Sequence, residues 1–248
     1  MFDPETIARN ISDTWGGSNL SGDLKTAIQA FDESDYVDPP AQDFNVNGVT
    51  RENIADRIEA HAGQLATAQA FAKAKLEARH LLALHVMSLA AEAAPQKLEE
   101  LRPQFDQASA DYVAAVYILG EGRVTGDAIA DASAEVQGAY RTAVEAAAVI
   151  NGIDHWVAGL TNLPGVGSMN HDNVCRVLSP ASRSELSELM GAKSDQPAEK
   201  RLDPMLLKAA RLGVAFELKT PAEATALRKT IDNMPVVKKP IRFASVTR

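Results

Sequence analysis

Cysteine is almost missing from this chain: Cys175 is the single one among 248 residues. No intramolecular disulfide can form, so the fold must rest on packing, and a reducing, cytoplasmic-type compartment is the natural expectation. Aromatic residues make up only 5%, which argues against a stacking platform for single-stranded nucleic acid. Long apolar runs are missing too. The most apolar window, Leu81 to Ala91, is too short to span a bilayer and contains His85, so it reads as a buried helix face. The N-terminal MFDPETIARN has no basic stretch leading into an apolar one, and no secretory leader is expected. There is no Walker-type phosphate loop, no Gly-x-Ser-x-Gly and no His-Glu-x-x-His.

Hydrophobic residues at 46% and charged residues at 23% are ordinary for a globular protein and exclude a wholly disordered chain. Alanine, the best helix former, is abundant in the middle of the sequence. Net charge is −8 but unevenly placed. From Arg201 onward ten Lys or Arg face four Asp or Glu, giving +6, while the first 200 residues carry 15 against 29, giving −14. A basic C-terminal segment on an acidic body suits either an anionic partner or the protein's own acidic face.

Four regions follow from the pattern. Residues 1–49 read as an N-terminal arm with short helices, Ser21 or Asp23 capping one that runs to Phe31 and Pro39-Pro40 closing an acidic stretch. Residues 50–160 read as a long helical bundle. Thr50 is a candidate N-cap, and Ile54, Ile58, Leu65, Ala72, Leu76, Val86 and Leu89 mark the inner stripe of a first helix ending near Pro95. Pro103 starts a second helix with Phe105, Ala108, Tyr112, Val116 and Leu119 inward, stopped by Gly120-Glu121-Gly122. Thr125 caps a third, with Ile129, Val136, Tyr140, Ala143, Ala147, Ile150 and Val157 inward. These periodicities predict burial of Ile58, Leu65, Tyr140 and Ile150. Residues 161–200 read as an irregular linker with a short helix at Ser182 to Met190. Residues 201–248 read as a small basic α+β segment: a helix at Pro204 to Leu212, a strand at Val214 to Lys219, a Thr220-capped helix to Asn233 and a second strand at Pro240 to Val246, a connection long enough for parallel pairing. The fold class is therefore mainly α, a long-helix bundle or antiparallel coiled coil with a small C-terminal α+β appendage.

Chemistry is thinly signalled. Glu77-Ala-Arg-His80 places a carboxylate and an imidazole on one helical face, the half-motif of di-iron bundles, but no second Glu-x-x-His is present. His155, His171 and Cys175 lack the fourth ligand and the spacing of a structural zinc site. A Cys–His nucleophile there has no identifiable third group. Trp15-Gly16-Gly17 fits the Trp-x-Gly turn of small secreted helical-hairpin proteins, but its flanks are short, so Trp15 is expected to pack the arm onto the bundle. Leu160-Thr-Asn-Leu-Pro-Gly-Val-Gly167 resembles the hairpin of helix–hairpin–helix DNA-binding motifs. That resemblance implies backbone N–H groups at Gly165 and Gly167 offered to a phosphate. Independently of it, the basic tail with Lys238, Lys239 and Arg242 suits a phosphate or an acidic protein surface.

No cofactor and no metal is expected. The leading expectation is a non-enzymatic structural or assembly protein that self-associates or binds another protein through its long helices. Phage virion and scaffolding proteins share that architectural plan, and the location would then be the cytoplasm or a virion. Nucleic-acid binding through Gly165, Gly167 and the basic segment is one alternative. A helical enzyme around His80, His85 or His155 is the other.

Overall fold

Proline and a capping side chain open the first helix. Asp3 accepts from the amides of Glu5 and Thr6, Pro4 occupies the first helical position, and α1 runs Pro4–Trp15. Ile7, Ala8, Ile11 and Trp15 fall on one face and are buried. Ser21 caps α2, Gly22–Glu33, through the Leu24 amide, and Leu24, Ala27, Ile28 and Phe31 form its inner face. A 3-10 turn follows at Ser34–Tyr36. The computed structural model describes residues 3–15, 20–38, 43–122, 129–166, 174–192 and 202–235.

Helix α3 spans Ile54–Leu119, 66 residues without a break. It begins later than the Thr50 cap predicts. The Thr50 amide instead donates to Asn53 Oδ1, and the Asn53 side chain donates to the Gly48 carbonyl, so a turn precedes the helix. It also continues through Pro95 and Pro103, where the sequence predicts an end and a new start. Each proline forfeits one hydrogen bond and crowds the preceding turn, at about 3 kcal/mol. Between them, Gln96 to Arg102 are good helix formers with no glycine or asparagine to stop the helix. Leu98, Phe105 and Tyr112 around the prolines are at most 3% exposed. Burial of side chains that large contributes roughly 1.5–3 kcal/mol each, enough to offset the local loss.

The phase of the first part of α3 differs from the prediction. Ile58, Leu65 and Leu76 are 57%, 38% and 65% exposed. The packed face is made of Ala68, Arg79, Ala83, Val86, Ala90 and Ala94. Reading the stripe from the largest aliphatic residues placed it on the wrong side from Ile58 to Leu76, though Val86 is buried as predicted, because alanine is as readily buried as leucine when its neighbours come close. Farther along, Phe105, Ala108, Tyr112 and Val116 are buried as predicted, and Gly120, with φ 67°, follows the helix end.

Helix α4, Ala134–Gly159, is capped by Ser133 and buries Ala139, Ala143, Ala146, Ala147, Ile150, Ile153, Trp156 and Val157. Ile150 is fully buried; Tyr140 is only half-buried, a correction to the expectation for it. The predicted cap Thr125 lies outside the described residues.

After a 3-10 turn at Leu160–Asn162 the chain forms α5 (Val174–Val177), β1 (Leu178–Ser179), α6 (Arg183–Met190), α7 (Pro204–Leu212), β2 (Ala215–Phe216) and α8 (Pro221–Asp232). Ser182 and Asp203 cap α6 and α7, and Thr220 with Glu223 forms a reciprocal capping box on α8. β1 and β2 pair antiparallel, Leu178 opposite Phe216. The strand around 215 is thus present, but its partner comes from the stretch around 178 that reads as irregular. Two residues are too few to show alternation. The second strand predicted at 240–246 lies outside the described residues. The fold is mainly α with a small α+β appendage.

Contacts divide the chain into two compact units, Met1–Pro95 with Asn162–Gly165, and Gln96–Thr161 with Val166–Arg248. The division falls inside α3 and inside the span 50–160.

Candidate functional site

Of the residues the sequence singles out for anion binding, Gly165 is described. It is exposed, at φ 76°, beside exposed Pro164, a left-handed conformation that favours glycine. Gly167, Lys238, Lys239 and Arg242 lie outside the described residues. His80 and His85, five residues apart on α3, and His155 of α4 are each exposed, and Glu77 beside His80 is 68% exposed and 3.9 Å from Lys73. Cys175 is fully buried; His171 is outside the described residues. Among the described residues no group of three or more His, Cys, Asp or Glu is placed to hold a metal ion, and no helix is long and apolar enough to cross a membrane.

Buried charges are what sequence reasoning missed. Arg79 of α3 is 4% exposed. Its Nε donates to Glu5 of α1 at 2.6 Å, its guanidinium ion-pairs with Asp35, and its carbon sits 4.8 Å from the Phe31 ring centre of α2. Lys75, one turn earlier, donates to the Asp35 carbonyl at 2.9 Å. These contacts pin the N-terminal arm to α3. In the other unit, Arg176 of α5 makes two hydrogen bonds to Asp154 of α4, at 2.7 and 2.9 Å, the paired geometry that suits guanidinium and carboxylate. Arg102 donates to the Leu218 carbonyl at 3.1 Å and pairs with Glu99 at 3.0 Å. A hydrogen bond from Arg102 holds the Glu99 carboxyl below its usual range.

One cluster has the residue types of nucleophilic chemistry. The Ser179 hydroxyl donates to Glu217, and Lys219 donates to Ser179 while lying 2.9 Å from the Glu217 carboxylate. The hydrogen bond from Ser179, then that from Lys219, holds the Glu217 carboxyl below its usual range. A lysine can activate a serine only as a neutral base. Here Lys219 is engaged in an ion pair and the hydroxyl proton points at a carboxylate, so the trio clamps β1 to β2.

Among the described residues, apolar surface is exposed in at least two places. A groove of about 900 Å³ runs between α3 and β2, with Val113, Tyr117, Ile118, Val214 and Phe216 on its walls. Beneath it Tyr112 packs against Phe216, ring centres 5.9 Å apart, and burial pushes the Tyr112 phenol up. The second surface is the opening stretch of α3. Its own unit covers one flank: Phe44 meets the His61 ring edge-on at 5.1 Å, and Lys75 is held to Asp35. The neighbouring face, with Ile58, Leu65 and Leu76, is open to solvent.

No family model matches the chain, and no curated protein or solved structure matches it.

Proposed function

We propose that this chain is a non-enzymatic assembly protein that makes protein–protein contacts through α3. The observation that carries the reading is the run of apolar residues at helical spacing, Ile58, Leu65 and Leu76, left in water by the folded chain. A helix that has packed one face and still presents a second apolar face suits a partner, because clustered exposed apolar surface usually marks an interaction site. Covering the exposed half of each of the three side chains contributes roughly 1 kcal/mol per side chain. Two copies contribute six, which is comparable with the several kcal/mol that association costs in lost freedom. The expected contact is reversible and concentration-dependent. Phage virion and scaffolding components, with their long helices and further contacts from terminal segments, are the kind of assembly this plan suits.

Sedimentation velocity of the full chain across micromolar concentrations tests the reading. The expected result is an average mass that rises with concentration, and a double variant, Leu65→Lys with Leu76→Lys, that stays monomeric. Both residues are exposed, so the variant should keep its fold by circular dichroism. A compact monomer for both proteins at every concentration would overturn the self-association reading.

A further inference from the structure

We infer that a second copy of this chain docks antiparallel on α3, with Ile58 of one copy over Leu76 of the other. This rests on the assembly reading above and names its partner. Ile58, Ala62, Leu65, Gln69, Ala72 and Leu76 are separated by four, three, four, three and four residues. That is an uninterrupted heptad seam, and every one of its positions is exposed.

The spacing of the seam reads the same from either end. Laid antiparallel on itself, it sets Ile58 against Leu76, Ala62 against Ala72 and Leu65 against Gln69. Large residues meet at the two ends, small ones meet inside them, and a two-fold axis passes near Thr67. The flanks then choose the direction. Glu59 follows Ile58 and Lys73 follows Ala72, so they occupy equivalent positions on the same side of the seam. In an antiparallel pair those positions face each other, and symmetry produces the Glu59–Lys73 pair twice. In a parallel pair Glu59 faces Ile54 and Lys73 faces Ala68, and no opposite charges meet. Both side chains are free to do this: Glu59 is exposed, and Lys73 is 80% exposed with only a 3.9 Å contact to Glu77. The other flank is already engaged by the chain's own arm, through Phe44 on His61 and Asp35 on Lys75.

Charge reversal and cross-linking of the full chain test this. Glu59→Lys and Lys73→Glu should each weaken self-association by roughly fivefold or more, as two like-charge contacts replace two attractive ones. The double reversal should return to near the parent value. A mixture of Glu59→Cys and Lys73→Cys proteins should cross-link with a short bis-maleimide, while Glu59→Cys alone should not. The unsubstituted chain, whose Cys175 is fully buried, is the control. Cross-linking of Glu59→Cys with itself overturns the antiparallel register and leaves the α3 reading standing. So does association that ignores all the charge variants yet disappears in the Leu65/Leu76 variant. Absence of association in every protein overturns the register and the self-association reading together.

Discussion

Glu217 sits at the residue scale of this fold's pH response. Its carboxyl is held below the usual carboxylate range by the Ser179 hydroxyl and then by Lys219. A depressed carboxyl contributes stability that is fully present above the unfolded value near 4.5 and is lost as pH falls through the folded value. The side chain is 58% exposed, so solvent screening keeps the effect below about 1 kcal/mol. Glu217→Gln should therefore lower the melting temperature slightly at pH 7, and the gap to the parent should close as pH drops below about 4.5. A gap that stays constant down to pH 3 would show that Glu217 contributes nothing through its charge. Neither this trio nor Arg79 is legible in the sequence. A lone charged residue on a helix reads as solvated, and what buries Arg79 is an acidic residue 74 positions away. No local pattern carries that information. The caps are a different matter: Ser21, one of the two candidates for its helix, and Thr220 with Pro221 after it act within four residues and sit where the sequence predicts.

At the scale of elements, the short capped helices and the inner face from Phe105 to Val116 follow from periodicity, while the two prolines inside α3 mislead. Proline raises the local free energy of a helix without dictating that it stop; packing on both sides decides. The exposure of Pro103 makes this testable. Pro103→Ala restores one backbone hydrogen bond and removes a clash, with little side-chain packing at stake. It should raise the urea midpoint, by up to about 3 kcal/mol of stability. Unchanged or lowered stability would mean that a helical distortion at Pro103 is itself part of the packing. The misplaced stripe between Ile58 and Leu76 has a further lesson. The period was right and the face was real, but it is the face left uncovered by its own chain.

At the scale of the whole molecule, no composition shift or linker announces that Pro95 separates two compact units. The boundary falls within a helix, and the first unit recruits Asn162–Gly165 from far along the chain. Association brings a different balance into play. Each copy carries −8, and the repulsion between copies reaches about 30 Å at 0.01 M salt but only about 8 Å at 0.15 M. The seam adds just two local attractive pairs. Raising sodium chloride from 0.01 to 0.15 M should therefore strengthen self-association in sedimentation velocity, since apolar contact is not screened and net repulsion is. Weakening with salt would show that paired charges, rather than Ile58, Leu65 and Leu76, dominate the contact.

The alanine faces carry a consequence for how this sequence can change. Ala83, Ala90 and Ala143 are fully buried, and each is already the smallest side chain a helix tolerates without loss. Glycine there would cost roughly 0.5–1 kcal/mol in chain entropy, and a larger side chain would have to displace packed neighbours. Ala83→Leu should lower stability by about 1–3 kcal/mol through overpacking, read as a fall in the urea midpoint, whereas Ala72→Leu on the open face should leave it unchanged. A scan that trims side chains to alanine would pass over such positions entirely. The molecule's weakness is intolerance of added bulk, so along these faces its sequence is held nearly still from both directions.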